Sequence, residues 1–177
     1  MATMKKSKKT AGICVLASIV LITASLLLST IQAAAETVKY RTVAVGTSFD
    51  YVEVGDVEGQ PLAIGLYEQK GLRMSENGET AIYKSWGQFQ TMVGSRGFGV
   101  STFEDGSTTW IKFQHPPGTP GEGGEVKFDI YKGTFEYIGG TGRFEGIKGK
   151  GSYTAKYFPA YGVADIEGIA EYTLPPS

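Results

Sequence analysis

The sequence predicts an all-β protein, a single closed antiparallel barrel of about eight strands preceded by a signal peptide, and three observations carry that prediction. Gly or Pro interrupts the chain every few residues beyond the leader, and no window there shows a sustained 3.6-residue apolar repeat. Alternating segments rich in Val, Ile, Thr and aromatics are separated by turn residues. Along the last two such segments one face consists almost wholly of glycine, alanine and tyrosine.

The first 35 residues read as an export signal, with Glu36 as the mature N-terminus. Lys5, Lys6, Lys8 and Lys9 form a basic start, Ile13 to Ile31 is uncharged and apolar, and Ala33, Ala34 and Ala35 supply small residues for cleavage. An uncleaved anchor is the alternative, because the apolar run has the length of a membrane helix, roughly 17–25 residues. The expected location is therefore secreted or periplasmic, with membrane anchoring as the second reading.

Residues 36–177 form one domain of ordinary size. Cys14, the single cysteine, lies in the leader, so a mature chain has no disulfide, thiolate metal site or cysteine nucleophile. His115 is the single histidine, which rules out a multi-histidine metal centre. Without the four leader lysines the basic residues fall from 17 to 13 against 18 acidic ones, a formal charge of −5. Nucleic acid is not the expected partner of such a chain.

Nine segments read as strands: Thr37 to Val45, Asp50 to Val54, Pro61 to Tyr67, Ala81 to Val93, Gly97 to Phe103, Thr108 to Phe113, Glu125 to Tyr137, Ser152 to Tyr157 and Val163 to Leu174. Asn77-Gly78 and Asp105-Gly106 are signals of tight hairpins, and the stretch from Gln114 to Gly124 is a longer Pro/Gly loop. Tyr153, Ala155 and Tyr157 share a face opposite Ser152, Thr154 and Lys156; Ala164, Ile166, Gly168, Ala170 and Tyr172 do the same opposite Asp165, Glu167 and Glu171. Small residues permit bending and tyrosines fill the space across, so this pattern fits a curved wall better than a flat sandwich.

Six glycines stand between Gly139 and Gly151. A phosphate-cradling loop is disfavoured, because Gly140, Gly142 and Gly146 are spaced one residue too far for a dinucleotide fingerprint and no helix follows. Left-handed backbone or close approach of chains where the barrel closes is the favoured role. The block Gly139-Gly140-Thr141-Gly142-Arg143-Phe144, with Gly149 after four intervening residues, resembles the Gly-rich element of the dirigent and allene oxide cyclase families. The resemblance spans about 20 residues. It implies an eight-stranded calycin-type barrel that binds a hydrophobic or phenolic molecule in its mouth without a cofactor, and it leaves self-association into a homo-oligomer open. The acid and base residues of those families lie on earlier strands and are not carried over.

The candidate ligand-binding residues are Trp86, Trp110, Tyr153, Tyr157 and Tyr172, with the three tyrosines expected to face inward. Glu104, on the face of Phe98, Val100 and Thr102, and His115, at a strand end, are the weak catalytic candidates. Arg143 is expected to pair with a carboxylate at the barrel end. Three functions stand side by side: a carrier or scaffold for a small apolar or phenolic ligand, a cofactor-free isomerase or cyclase of the allene oxide cyclase type, and a non-catalytic interaction module with a filled barrel.

Overall fold

The computed structural model describes residues 35–122 and 126–176; the signal-peptide expectation lies outside them. Nine strands follow in order: β1 (Glu36–Val57), β2 (Gln60–Ser75), β3 (Thr80–Gln90), β4 (Gly94–Phe103), β5 (Thr108–His115), β6 (Thr119–Pro120), β7 (Asp129–Thr141), β8 (Lys148–Phe158) and β9 (Val163–Thr173). Every pairing is antiparallel, β1 to β5 pair in sequence, β7 to β9 likewise, β9 returns to β1, and β5 pairs with β7. Eight strands thus close a barrel, and β6 is a two-residue addition along the edge of β7.

Several of the expected boundaries shift: β4 begins at Gly94, β5 ends at His115, β7 runs from Asp129 to Thr141 and β8 begins at Lys148, and three changes are larger. The first two predicted strands are one, β1, whose pairing with β2 carries irregularities between Gly46 and Ser48 and between Glu53 and Gly55. Extra residues of this kind bend a strand without ending it. β2 continues eight residues past Tyr67, through a polar stretch that pairing on both sides holds extended. The β3–β4 turn falls at Thr91–Val93, with Met92 in the left-handed region, rather than after Val93. Both predicted tight turns are present, with Gly78 and Gly106 at φ 86° and 82°.

The inner wall is built from a repeated pair, an aromatic ring on one strand facing a glycine on the next. Tyr40 stands opposite Gly168, Tyr67 opposite Gly87, Phe135 opposite Gly151 and Tyr153 opposite Gly133. In each pair a methyl group built on the glycine would overlap the partner ring. The glycines therefore let rings lie against the wall rather than cross the lumen. Ile111, Phe113, Phe135 and Ala170 form the buried midsection, packed by Tyr40, Tyr67, Tyr137 and Tyr153.

One end is plugged. Gly142–Phe144 forms a single 3-10 turn, Gly142 and Gly146 take φ of 61° and 74°, and a side chain on Gly140 would strike the Phe144 and Thr108 carbonyls. This tight path drives Phe144 and Ile147 into a cluster with Ala81 and Phe103, covered by Tyr137, Tyr172 and Leu174. Arg143 lies outside the plug, paired with Glu79 and Asp105 and stacked near the Phe144 and Phe103 rings at 4.7 and 5.0 Å. The expected carboxylate pairing of Arg143 at the barrel end is thus present.

The ring-over-glycine pairs give a stability test. Gly133→Ala and Gly168→Ala force a ring or a strand to move and are expected to cost about 1–3 kcal/mol each in urea unfolding. Gly46→Ala, whose added methyl has only the Gly162 carbonyl at 3.7 Å for company, is expected to stay within about 0.5 kcal/mol of the parent. Equal losses at all three positions would contradict the packing role.

Candidate functional site

Inside the barrel, above the plug, is a cavity of about 730 Å³. Its other end opens between the β3–β4 turn (Thr91, Met92), the loop at Pro117 and Gly118, and the β1 irregularity at Thr47 and Ser48. Alternation places the walls: Tyr67, Gln69 and Arg73 from β2, Tyr83, Ser85 and Phe89 from β3, and Tyr153, Ala155 and Tyr157 from β8 all line it.

Burial sets the state of these tyrosines. Desolvation is the leading cause at Tyr40, Tyr67, Tyr83 and Tyr153, and it raises each phenol; Tyr67 is pushed up to about 12. All four are neutral hydroxyl groups at physiological pH. The Tyr67 hydroxyl donates to Ser95 Oγ at 2.9 Å, and Ser95 in turn donates to the Gln88 carbonyl at 2.8 Å.

At the mouth, His115 Nδ1 donates to the Pro116 carbonyl at 2.8 Å, which leaves Nε2 as the acceptor. Its ring meets Tyr131 and Tyr153 edge-on, with centroids 4.9 and 6.4 Å away. Partial burial lowers its pKa, and the bond to Pro116 opposes this without cancelling it.

Of the residues expected from sequence to meet a ligand, Tyr153 and Tyr157 line the cavity, as does His115. Tyr172 lies at the plugged end, edge-on to Tyr137 and Phe144, and its hydroxyl donates to Glu36 Oε2 at 2.8 Å. Trp86 and Trp110 are corrected in position: they stand on the outer wall, 43% and 42% exposed, and take no part in the lining. The face of β3 and of β5 that carries the tryptophan is the outer one. Ser85 and Gly87 occupy the inner positions beside Trp86, because Gly87 must receive the Tyr67 ring. Glu104 is not on the strand but in the turn that follows β4; it is exposed, away from the cavity, and its carboxylate accepts from Thr80 Oγ1 at the plugged end.

The sequence reading passed over Tyr40, Tyr67, Tyr83 and Arg73. Arg73 is 6% exposed and lines the cavity next to the plug, opposite Thr42 on β1 and Ala81 on β3. The period-two run Tyr67, Gln69, Gly71, Arg73 was the available signal. Glu68 is the single carboxylate among the lining residues, at the β1 irregularity beside Ser48. Among the described residues no group of His, Cys, Asp and Glu has the arrangement of a metal site.

A scan against protein-family models and a search of curated proteins each give no match. Among solved structures, the chain is similar to the pterocarpan synthase dirigent protein GePTS1, at 13% identity and a TM-score of 0.35, over 84% of this chain and 96% of that one. The barrel assignment itself rests on the closed hydrogen-bonded ladder of this chain.

Proposed function

We propose that this protein is an exported barrel that binds one small hydrophobic or phenolic molecule through its mouth, without a cofactor. The observation that carries the reading is the cavity: about 730 Å³, sealed at one end by the Phe144 plug, open at the other, and walled by rings with a few placed hydroxyls. Rings lying flat against glycines keep the lumen hollow, which leaves the filled-barrel interaction module without support. The leader favours export, as read from the sequence.

A cofactor-free isomerase or cyclase is the second reading, and one observation favours it. His115 presents a neutral imidazole with Nε2 unclaimed at the mouth, near Tyr153, an arrangement suited to moving a proton on a bound molecule. Glu104, exposed in the turn after β4 and absent from the cavity lining, has no part in that chemistry. Among the described residues no carboxylate hydrogen-bonds to a tyrosine of the cavity wall, so the binding reading stands first.

Two measurements follow. The neutral fluorescent probe N-phenyl-1-naphthylamine is expected to bind saturably at one site per barrel; Ala164→Leu, which adds bulk to the lining, weakens it by about tenfold, or ~1.4 kcal/mol, whereas Trp110→Ala on the outer wall leaves it unchanged. No saturable binding, or a loss confined to the Trp110 variant, overturns the reading. Second, NMR titration of the lone histidine is expected to give a midpoint below the ordinary 6.5. The unfolded chain then takes up that proton at higher pH than the folded one, so this contribution to stability is complete above 6.5 and is lost as the pH falls through the folded midpoint. A midpoint at or above 6.5 places His115 in open solvent.

A further inference from the structure

Two of the four arginines, Arg41 and Arg143, pair with carboxylates, and Arg96 lies exposed on the outer wall beside Gln88. Arg41 makes a two-point bond to Asp165, at 2.8 and 2.9 Å, on the outer wall. Arg143 has Glu79 and Asp105. Arg73, the one buried arginine of the four, forms no ion pair with any carboxylate among the described residues.

Its surroundings supply little else. The Tyr40 ring lies 3.9 Å from the guanidinium carbon, Nη1 reaches Ser101 Oγ only at 3.5 Å, and Nε has no partner. An aromatic face attracts the charge but accepts no in-plane hydrogen bond in the way an oxygen does. On β5, directly opposite Ser101, Thr109 Oγ1 is also buried without a partner. A guanidinium that is out of water, always charged and short of acceptors is an unfinished ion pair, and its planar fork matches two oxygens of one acid group.

We infer that the cavity takes an organic acid, with its carboxylate seated on Arg73 at the inner end and its apolar body lying between the wall tyrosines toward the mouth. This deepens the proposed ligand-binding reading and rests on it. The phenols of Tyr40 and Tyr83, kept protonated by burial, add donors and no competing negative charge. Only the arginine is a full charge at that depth, so the acid end goes inward and the apolar end outward.

The test compares 2-naphthoate with 2-naphthamide, which has nearly the same shape and no charge, by isothermal titration of the purified protein at neutral pH. The expected result is that the acid binds about ten- to a hundredfold more tightly than the amide, the range of a charge-assisted bond, and that Arg73→Met abolishes the preference while N-phenyl-1-naphthylamine still binds. Because the comparison is made first on the unaltered protein, it decides the matter even if the variant does not fold. Acid and amide binding equally well, or a preference that survives in Arg73→Met, overturns the inference and leaves the ligand-binding reading intact. Failure of the acid, the amide and the neutral probe alike overturns both.

Discussion

The structure depends on aromatic rings laid across glycines of the neighbouring strand. An eight-stranded barrel has an interior just wide enough for side chains to fill, so inward-pointing rings would ordinarily meet and close it. Here Tyr40, Tyr67, Phe135 and Tyr153 each find a glycine beside them and turn against the wall. The same contact covers exposed glycine backbone, packs the wall and keeps the lumen open. Cross-strand pairs of this kind contribute a few tenths to about 1 kcal/mol apiece. Their larger consequence is geometric, because they decide that the barrel has a cavity.

The two ends of that cavity are made differently. The plugged end is local in sequence: the glycines from Gly139 to Gly146 let the chain turn sharply enough to insert Phe144 and Ile147, and Arg143 ties the turn to two hairpin carboxylates. The mouth draws on β1, the β3–β4 turn and the loop after β5. Polarity follows the same axis. His115 stands at the outer end, where partial burial holds it neutral, and Arg73 stands at the inner end as a permanent charge. A molecule entering would therefore pass an imidazole and a wall of neutral phenols before reaching the cation.

Much of this was legible before the structure. The Gly/Ala/Tyr face of β8 and β9 announced a curved inner wall, and Tyr153 and Tyr157 lie on it. The Asn77-Gly78 and Asp105-Gly106 turns are where their chemistry places them, since both glycines need left-handed backbone. What was missed has a physical cause in each case. The amphipathic neighbours of Trp86 and Trp110 point to the mouth, but Ser85 and Gly87 hold the inner positions beside Trp86, and Thr109 and Ile111 those beside Trp110. Arg73 sits in Gln69–Ser75, a stretch whose lysine, glycine and serine give no strand signal of their own. Pairing with β1 and β3 makes it a strand, and only the register turns the arginine inward. A single sequence carries alternation clearly but does not say which face closes on itself.

The most direct examination of the ring-over-glycine arrangement is an NMR measurement on the unaltered protein. Protons held over the face of an aromatic ring are shielded by its circulating electrons, so the Hα signals of Gly87, Gly133 and Gly168 should lie well upfield of ordinary glycine positions. Each should also show nuclear Overhauser contacts to the ring of Tyr67, Tyr153 and Tyr40 respectively. Unshifted glycine signals without those contacts would mean that the rings point across the lumen, and a hollow barrel would no longer describe this protein.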